Sequence, residues 1–180
     1  MSEDRAEIQT KSTETKTNGG WLTDKDIKTR LIGDVPKDTE REVVSTVLDV
    51  FKKMNFKGPA PEIVSLSQGA VILPSGEEIE ASYSYVKPKV PGRIYVSTEK
   101  SKTAFGDSNI PIGVATAAFA AHEAVEHVNH MRGRKLLSSP RKLSPEKHKS
   151  DTEDEANSIA REVIKERSGW TVYFGDETSP

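Results

Sequence analysis

Ala120-Ala121-His122-Glu123-Ala124-Val125-Glu126-His127-Val128-Asn129-His130 is the stretch on which the reading of this chain turns. It continues Val114-Ala115-Thr116-Ala117-Ala118-Phe119, which is apolar nearly all round and so reads as a buried helix. Pro111 suits the first turn of that helix and Gly133 its stop, giving a span of about 111 to 133. At about 100° per residue, Glu126 falls about 40° from His122, His130 about 80°, Glu123 about 100° and His127 about 140°. Ala121, Ala124, Val125 and Val128 fill the opposite arc. Ala115 and Phe119 lie at about 20° and 60°, in line with His122 and Glu126, so the ionisable groups continue an apolar stripe. A charge placed there needs a partner or a metal ion. The plainer alternative is a polar helix face laced by the i,i+4 pairs Glu123–His127 and Glu126–His130.

Two ligands one turn apart can grip one ion from the same helix face, and the carboxylate beside the first can serve as general base toward a water at that ion. His122 and Glu126 are such a pair, and Glu123 is the candidate base. A third ligand must come from elsewhere. On the last expected helix, about 151 to 167, Ala156, Ile159, Ala160, Val163 and Ile164 form one apolar arc. Glu153 sits inside that arc and Asn157 at its edge, whereas Asp154, Glu155 and Glu162 point away. An acid on a buried face is the exception worth explaining. It is a metal ligand, or it closes a capping box with Ser150.

Composition limits the rest. The chain has 180 residues, 34% hydrophobic and 30% charged, which suits one soluble domain with a modest core. We expect tails at 1–20 and 175–180 and a single domain over 21–174. There is no apolar run long enough to span a membrane and no apolar segment of signal-peptide type near Met1. Cysteine is absent, so disulfides and thiolate ligands are excluded and any metal is held by His, Asp or Glu. A cytoplasmic protein is expected. The formal net charge of −2, with both signs mixed, gives no nucleic-acid footprint. The basic segment from Arg132 to Lys149 reads as a solvated loop.

Upstream, Trp21 to Asp26 begins a short helix capped by Thr23 or Asp24 and ended by Gly33 and Pro36. Val43, Val47, Val50, Phe51 and Met54 recur at helical spacing from Thr39 to about Asn55. Ile63–Leu66, Val71–Leu73, Ile79–Val86 and Arg93–Ser97 read as strands, Thr98 to Asn109 as a polar loop, and Trp170–Phe174 as a short apolar tail. The expected class is α+β, with a small antiparallel or mixed sheet packed on the histidine helix and a C-terminal helix.

These residues resemble the ImmA/IrrE-type metallopeptidases, small gluzincin-like proteins. That family carries His-Glu-x-x-His on one helix and a third ligand Glu on a later helix, in a Glu-x-x-Ala-Asn-x-(apolar)-Ala pattern. Ala121-His122-Glu123-Ala124-Val125 supplies the first half, and Glu153-Asp154-Glu155-Ala156-Asn157-Ser158-Ile159-Ala160 matches the second throughout. The resemblance covers roughly residues 39 to 167. It implies a zincin-like fold, with Arg93–Ser97 as the edge strand along a peptide or protein substrate. It also implies a divalent metal, zinc first, on His122, Glu126 and Glu153. The chain departs from the pattern at Glu126, where the family has histidine. Either Glu126 replaces the imidazole or His127 reaches the ion as the second ligand. A His/Glu/Glu set is harder than His₂Glu and moves preference toward Mn²⁺ or Fe²⁺. The expected function is thus a metal-dependent peptidase-like domain in which Glu123 activates water. The alternative is a non-catalytic protein-binding or regulatory module that retains the fold.

Overall fold

The computed structural model describes residues 20–106, 108–134 and 145–175, and side chains from residue 153 onward in the last segment. The expectations for the N-terminal tail before Gly20, for most of the basic segment and for the last five residues lie outside these. Among the described residues the architecture is α+β, with four helices and a small mixed sheet.

Thr23 opens the described chain's first turn. Its N–H donates to Asp26 Oδ2 at 2.7 Å, and its hydroxyl reaches the same oxygen at 3.1 Å. The result is a single 3₁₀ turn, Asp24–Asp26, where a longer helix was expected. The chain then extends into β1, Thr29–Ile32. Its partner is a strand more than thirty residues further on, which local pattern does not reveal. Helix α1, Lys37–Lys53, buries Val43, Val47, Val50 and Phe51 on one face. It ends where Asn55 takes a left-handed φ of 53°.

Strand β2, Glu62–Leu66, is followed by the two-residue pair β3, Val71–Ile72, and β4, Glu78–Ile79. Strands β5, Ala81–Ser84, and β6, Arg93–Ser97, complete the set. The expected strand from Ile79 to Val86 is divided at Glu80: Ile79 pairs with Val71, and Ala81 pairs with Val96. The main sheet runs β1-β2-β6-β5. The first three strands are parallel and β5 is antiparallel to β6. Arg93–Ser97 is therefore an interior strand, and the edge on that side is Ala81–Ser84. Parallel pairing of β2 with β6 buries Ile63, Val64, Ile94 and Val96.

Helix α2, Thr98–Ala104, occupies the start of the expected loop. It has no apolar stripe to announce it. Its signals are a Ser97 cap, whose hydroxyl accepts from the Lys100 N–H at 3.2 Å, and the buried small polar residues Thr98 and Ser101. Helix α3, Ile112–Met131, packs against α1, α2, β5, β6 and helix α4, Pro145–Ser168. Its alanines at 115, 117, 118, 120, 121 and 124 are fully buried, and their small side chains let neighbouring elements approach on every side. α4 starts at Pro145, six residues before the expected position, so Ser150 lies within the helix and is not its cap. After Gly169 the tail forms no strand, but Val172 and Phe174 are buried against the core.

Phe51 packs against Phe56 and His127, with ring centroids 5.1 and 5.7 Å away, and is almost fully buried. Phe51→Ala should lower the unfolding free energy by about 3–5 kcal/mol, as expected for an aromatic deleted from a packed core. Chemical denaturation followed by circular dichroism measures it.

Candidate metal centre

The buried face of α3 brings His122 and Glu126 one turn apart, and α4 delivers Glu153 opposite them. One ligand atom from each of the three lies within 4.8 Å of the others, a group that could hold a metal ion. His122 Nε2 is 3.5 Å from Glu153 Oε2. On the other side of the ring, His122 Nδ1–H donates to Asn157 Oδ1 at 2.8 Å. Asn157 is one turn after Glu153 on α4, so a single helix supplies both a candidate ligand and the group that aims the imidazole. A hydrogen bond at Nδ1 fixes the tautomer and leaves Nε2 for an ion. The Phe174 ring packs 5.8 Å from that of His122, and Phe119 and Phe105 extend this apolar wall.

Glu126 Oε1 is buried without a hydrogen-bond partner among the described residues. Leaving a buried carboxylate oxygen unpaired is costly. A cation between Glu126, His122 and Glu153 would satisfy it. The donor set of one imidazole and two carboxylates therefore fits a divalent ion.

Glu123 stands beside this group, half-buried. Burial pushes its pKa up to about 7; the Glu153 charge adds to the rise, while His122 and the Tyr83 backbone N–H oppose it. Tyr83 belongs to β5, so Glu123 lies near the sheet edge. Burial also pushes Glu126 up to about 8, with the charges of Glu123, Glu153 and Glu155 acting the same way against His122. For His122, burial opposes the charged form. The Glu153 hydrogen bond and the charges of Glu123, Glu153 and Glu126 outweigh it, taking the pKa up to about 9.

His127 is not part of this group. It is fully buried on the other flank of α3, with Nε2–H donating to the Pro59 carbonyl at 2.8 Å and Nδ1 meeting the Tyr83 hydroxyl at 2.8 Å. Phe51, Phe56 and Tyr83 surround its ring. Burial drives its pKa down to about 4, so it stays neutral. Of the two expected alternatives, Glu126 stands with His122 and Glu153, and His127 does not. His130 also turns away. Its Nδ1 meets the Tyr83 hydroxyl at 2.8 Å, its Nε2 donates to the Lys87 carbonyl at 3.1 Å, and its ring stacks on Tyr85 at 3.8 Å.

Tyr83 was read in the sequence as a sheet residue only. It is the hub of the second cluster, because its hydroxyl also accepts from the Gly92 N–H at 2.9 Å. Gly92 is required there: a Cβ would lie 2.2 Å from the Ser84 carbonyl oxygen and 2.8 Å from the Tyr83 ring. The sequence signal for this hub was weak, a tyrosine in phase with Ala81 on the inward face of a strand.

No protein-family model matches the chain, and no curated protein is significantly similar to it. The site stands on its geometry.

Glu123, Glu126 and His122 are all held above their ordinary values. The folded metal-free chain therefore keeps protons that the unfolded chain has released, from about pH 4.5 upward to about 9. Where the folded state binds more protons, stability falls as pH rises. Chelator-treated protein should melt at a lower temperature near pH 9 than near pH 5.5. Glu126→Gln should flatten that slope and stabilise the metal-free protein at about pH 8 by about 1 kcal/mol or more. Thermal melts across the range check both.

Proposed function

We propose that this chain is a metal-dependent peptidase-like domain of zincin type. In this reading His122, Glu126 and Glu153 hold a divalent ion and Glu123 is the general base. The observation that carries it is the convergence of His122 and Glu126 from α3 with Glu153 from α4, around an otherwise unpaired Glu126 oxygen. The resemblance of both helices to the ImmA/IrrE-type pattern agrees with the same three residues. Zn²⁺ is the first candidate on intrinsic affinity, and the two carboxylates raise the standing of Mn²⁺ and Fe²⁺.

When bound, a divalent ion at such a site polarises a carbonyl and makes water acidic enough to ionise near neutral pH. The chain's own residues provide the remainder. Burial pushes Glu123 up to about 7 in the metal-free chain and a bound cation would draw it back down, leaving a carboxylate able to take a proton from water and return it to a leaving amine. The backbone of Tyr83, on the β5 edge that is unpaired among the described residues, lies close enough to Glu123 to favour its charged form. An extended peptide adding to that edge would pass close to Glu123. Asn157 holds His122 in the tautomer that leaves Nε2 available. Phe174 and Phe119 keep an apolar wall beside the site. No described helix is long and apolar enough to cross a membrane, and a chain without cysteine suits a reducing compartment; we place it in the cytoplasm.

A second reading also has an observation behind it. Glu126 stands where the pattern has histidine, and His127 is locked by Tyr83 and Pro59 and does not replace it. A second carboxylate weakens the ion as a Lewis acid. The domain would then keep the fold and use the β5 edge to bind a protein or peptide without cleaving it.

Metal analysis of protein purified without a histidine tag tests both. One divalent ion per chain is expected, with stabilisation of about 2.7 kcal/mol at a hundred-fold excess over the dissociation constant. Glu126→Ala should abolish that stabilisation. Absence of any stoichiometric ion, with no thermal shift from ZnCl₂ or MnCl₂, sinks the metal site. Glu123→Gln should retain the ion and lower peptide hydrolysis by about 10²–10⁴-fold. A metal-loaded wild type that cleaves no unfolded protein or peptide library supports the binding module instead.

A further inference from the structure

Five polar contacts converge on Tyr83, His127 and His130, and together they require one hydrogen more than the neutral side chains carry. The Gly92 N–H donates to the Tyr83 hydroxyl at 2.9 Å. His127 Nε2 faces the Pro59 carbonyl at 2.8 Å, and His130 Nε2 faces the Lys87 carbonyl at 3.1 Å. A carbonyl only accepts, so each imidazole keeps its hydrogen on Nε2. A neutral imidazole has one N–H, and both Nδ1 atoms are then acceptors. Both stand 2.8 Å from the same phenol oxygen, which has one hydrogen to give. One of these two contacts therefore sets lone pair against lone pair. Moving a hydrogen from Nε2 to Nδ1 only shifts the deficit to a carbonyl.

We propose that the cluster is a one-proton site: in mild acid it takes up a single proton from solvent on His130 Nδ1, and that proton completes the network. His130 then donates from both nitrogens, to the phenol and to the Lys87 carbonyl. The phenol accepts from His130 and Gly92 and gives its own hydrogen to His127 Nδ1. Only in this form does Tyr83 hold both imidazoles at once, so acid fastens β5 and the loop after it to α3.

Three features put the proton on His130 and not on His127. His130 lies in the last turn of α3, where the negative end of the helix favours a cation. Its ring stacks on Tyr85 at 3.8 Å, a face that suits an imidazolium. His127, in contrast, is fully buried among Phe51, Phe56 and Tyr83, where a charge is costly. The groups around His130 are Tyr83 and Tyr85 of β5, His127 of α3, and Lys87 and Lys89 of the following loop. Beyond the helix end come Arg132, bonded to the Met54 carbonyl, and Arg134, paired with Glu155 of α4 at 2.8 Å. Glu126 lies one turn back, with His122 and Glu153. Burial holds His130 below its ordinary value of 6.5 against the pull of the Lys87 carbonyl, which keeps uptake on the acid side of neutrality. Tyr83, His127 and His130 are not members of the candidate metal group, so the test does not depend on it.

Long-range ¹H–¹⁵N spectra of the full chain labelled at histidine, from about pH 4 to about pH 8, read both nitrogens of each ring. His130→Gln assigns the His130 signals. His130 should pass from an Nε2–H imidazole to an imidazolium with a midpoint between about pH 5 and about pH 6.5, while His127 keeps its Nε2–H tautomer throughout. His127→Leu frees the phenol hydrogen for His130, so the neutral network is already complete and the midpoint should fall by about half a unit or more. By charge alone, removing a neighbouring imidazole would leave the midpoint in place or raise it. Tyr83→Phe keeps the ring but removes the acceptor, and should lower the midpoint by about one unit. Thermal melts show that each variant is folded, and the wild-type titration stands without them. A His130 still neutral at about pH 4.5, uptake on His127 instead, or a midpoint unmoved or raised in either folded variant overturns the proposal.

Discussion

Everything in this structure answers to one constraint: α3 is buried on nearly every side and yet carries five ionisable groups. Its first half meets that constraint by being alanine-rich. Its second half, from His122 to His130, cannot, and each polar side chain must find a partner inside the protein. Neighbouring elements are placed so as to provide them. α4 brings Glu153 and Asn157 to one flank, and β5 with the backbone at Pro59, Lys87 and Gly92 serves the other.

The two flanks solve the problem differently. On the Tyr83 side the groups are neutral. Two imidazoles share one phenol, and backbone carbonyls accept the remaining protons. Burial lowers the pKa of both histidines and raises that of Tyr83, so all three forms that burial favours are uncharged. On the Glu153 side three carboxylates meet one imidazole. Here burial and mutual repulsion push Glu123 and Glu126 up, and His122 is drawn toward its cation. On the first flank every polar atom lies within hydrogen-bond distance of a group in the chain, with the single Tyr83 hydroxyl proton serving one imidazole Nδ1 at a time. The second retains protons and an unpaired oxygen, the signature of a site in want of positive charge. That asymmetry is the physical basis for proposing a metal site on one flank and a structural role for the other.

Tyr83 joins them. Its hydroxyl belongs to the neutral cluster and its backbone lies near Glu123. The histidines outside the candidate group therefore still bear on it, because they hold the strand that runs near Glu123. Gly92 makes the arrangement possible by admitting the Tyr83 ring against the backbone of the opposite strand.

Much of this was legible in the chain itself. Apolar patterning, with Pro111 and Gly133 as end signals, placed α1 and α3 to within two residues at each end, since burying one face of a helix leaves a mark every third or fourth position. The angular placement of His122, Glu126 and Glu153 was legible for the same reason: an acid inside an apolar arc is a local anomaly. Elements without an apolar period were not legible. α2 is stabilised by a cap and by small buried hydroxyls, and β1 exists only because β2 lies alongside it. Nor could a linear pattern show that Arg93–Ser97 is interior and Ala81–Ser84 the edge, because strand order is a property of the assembled sheet. The sequence by itself determined which faces had to be buried and which ionisable groups would be carried inside with them. Only the tertiary structure decided which of those groups meet. His127 and Glu126 are adjacent in the chain, but a helix turns them about 100° apart, and one faces a phenol while the other faces the carboxylate of a different helix.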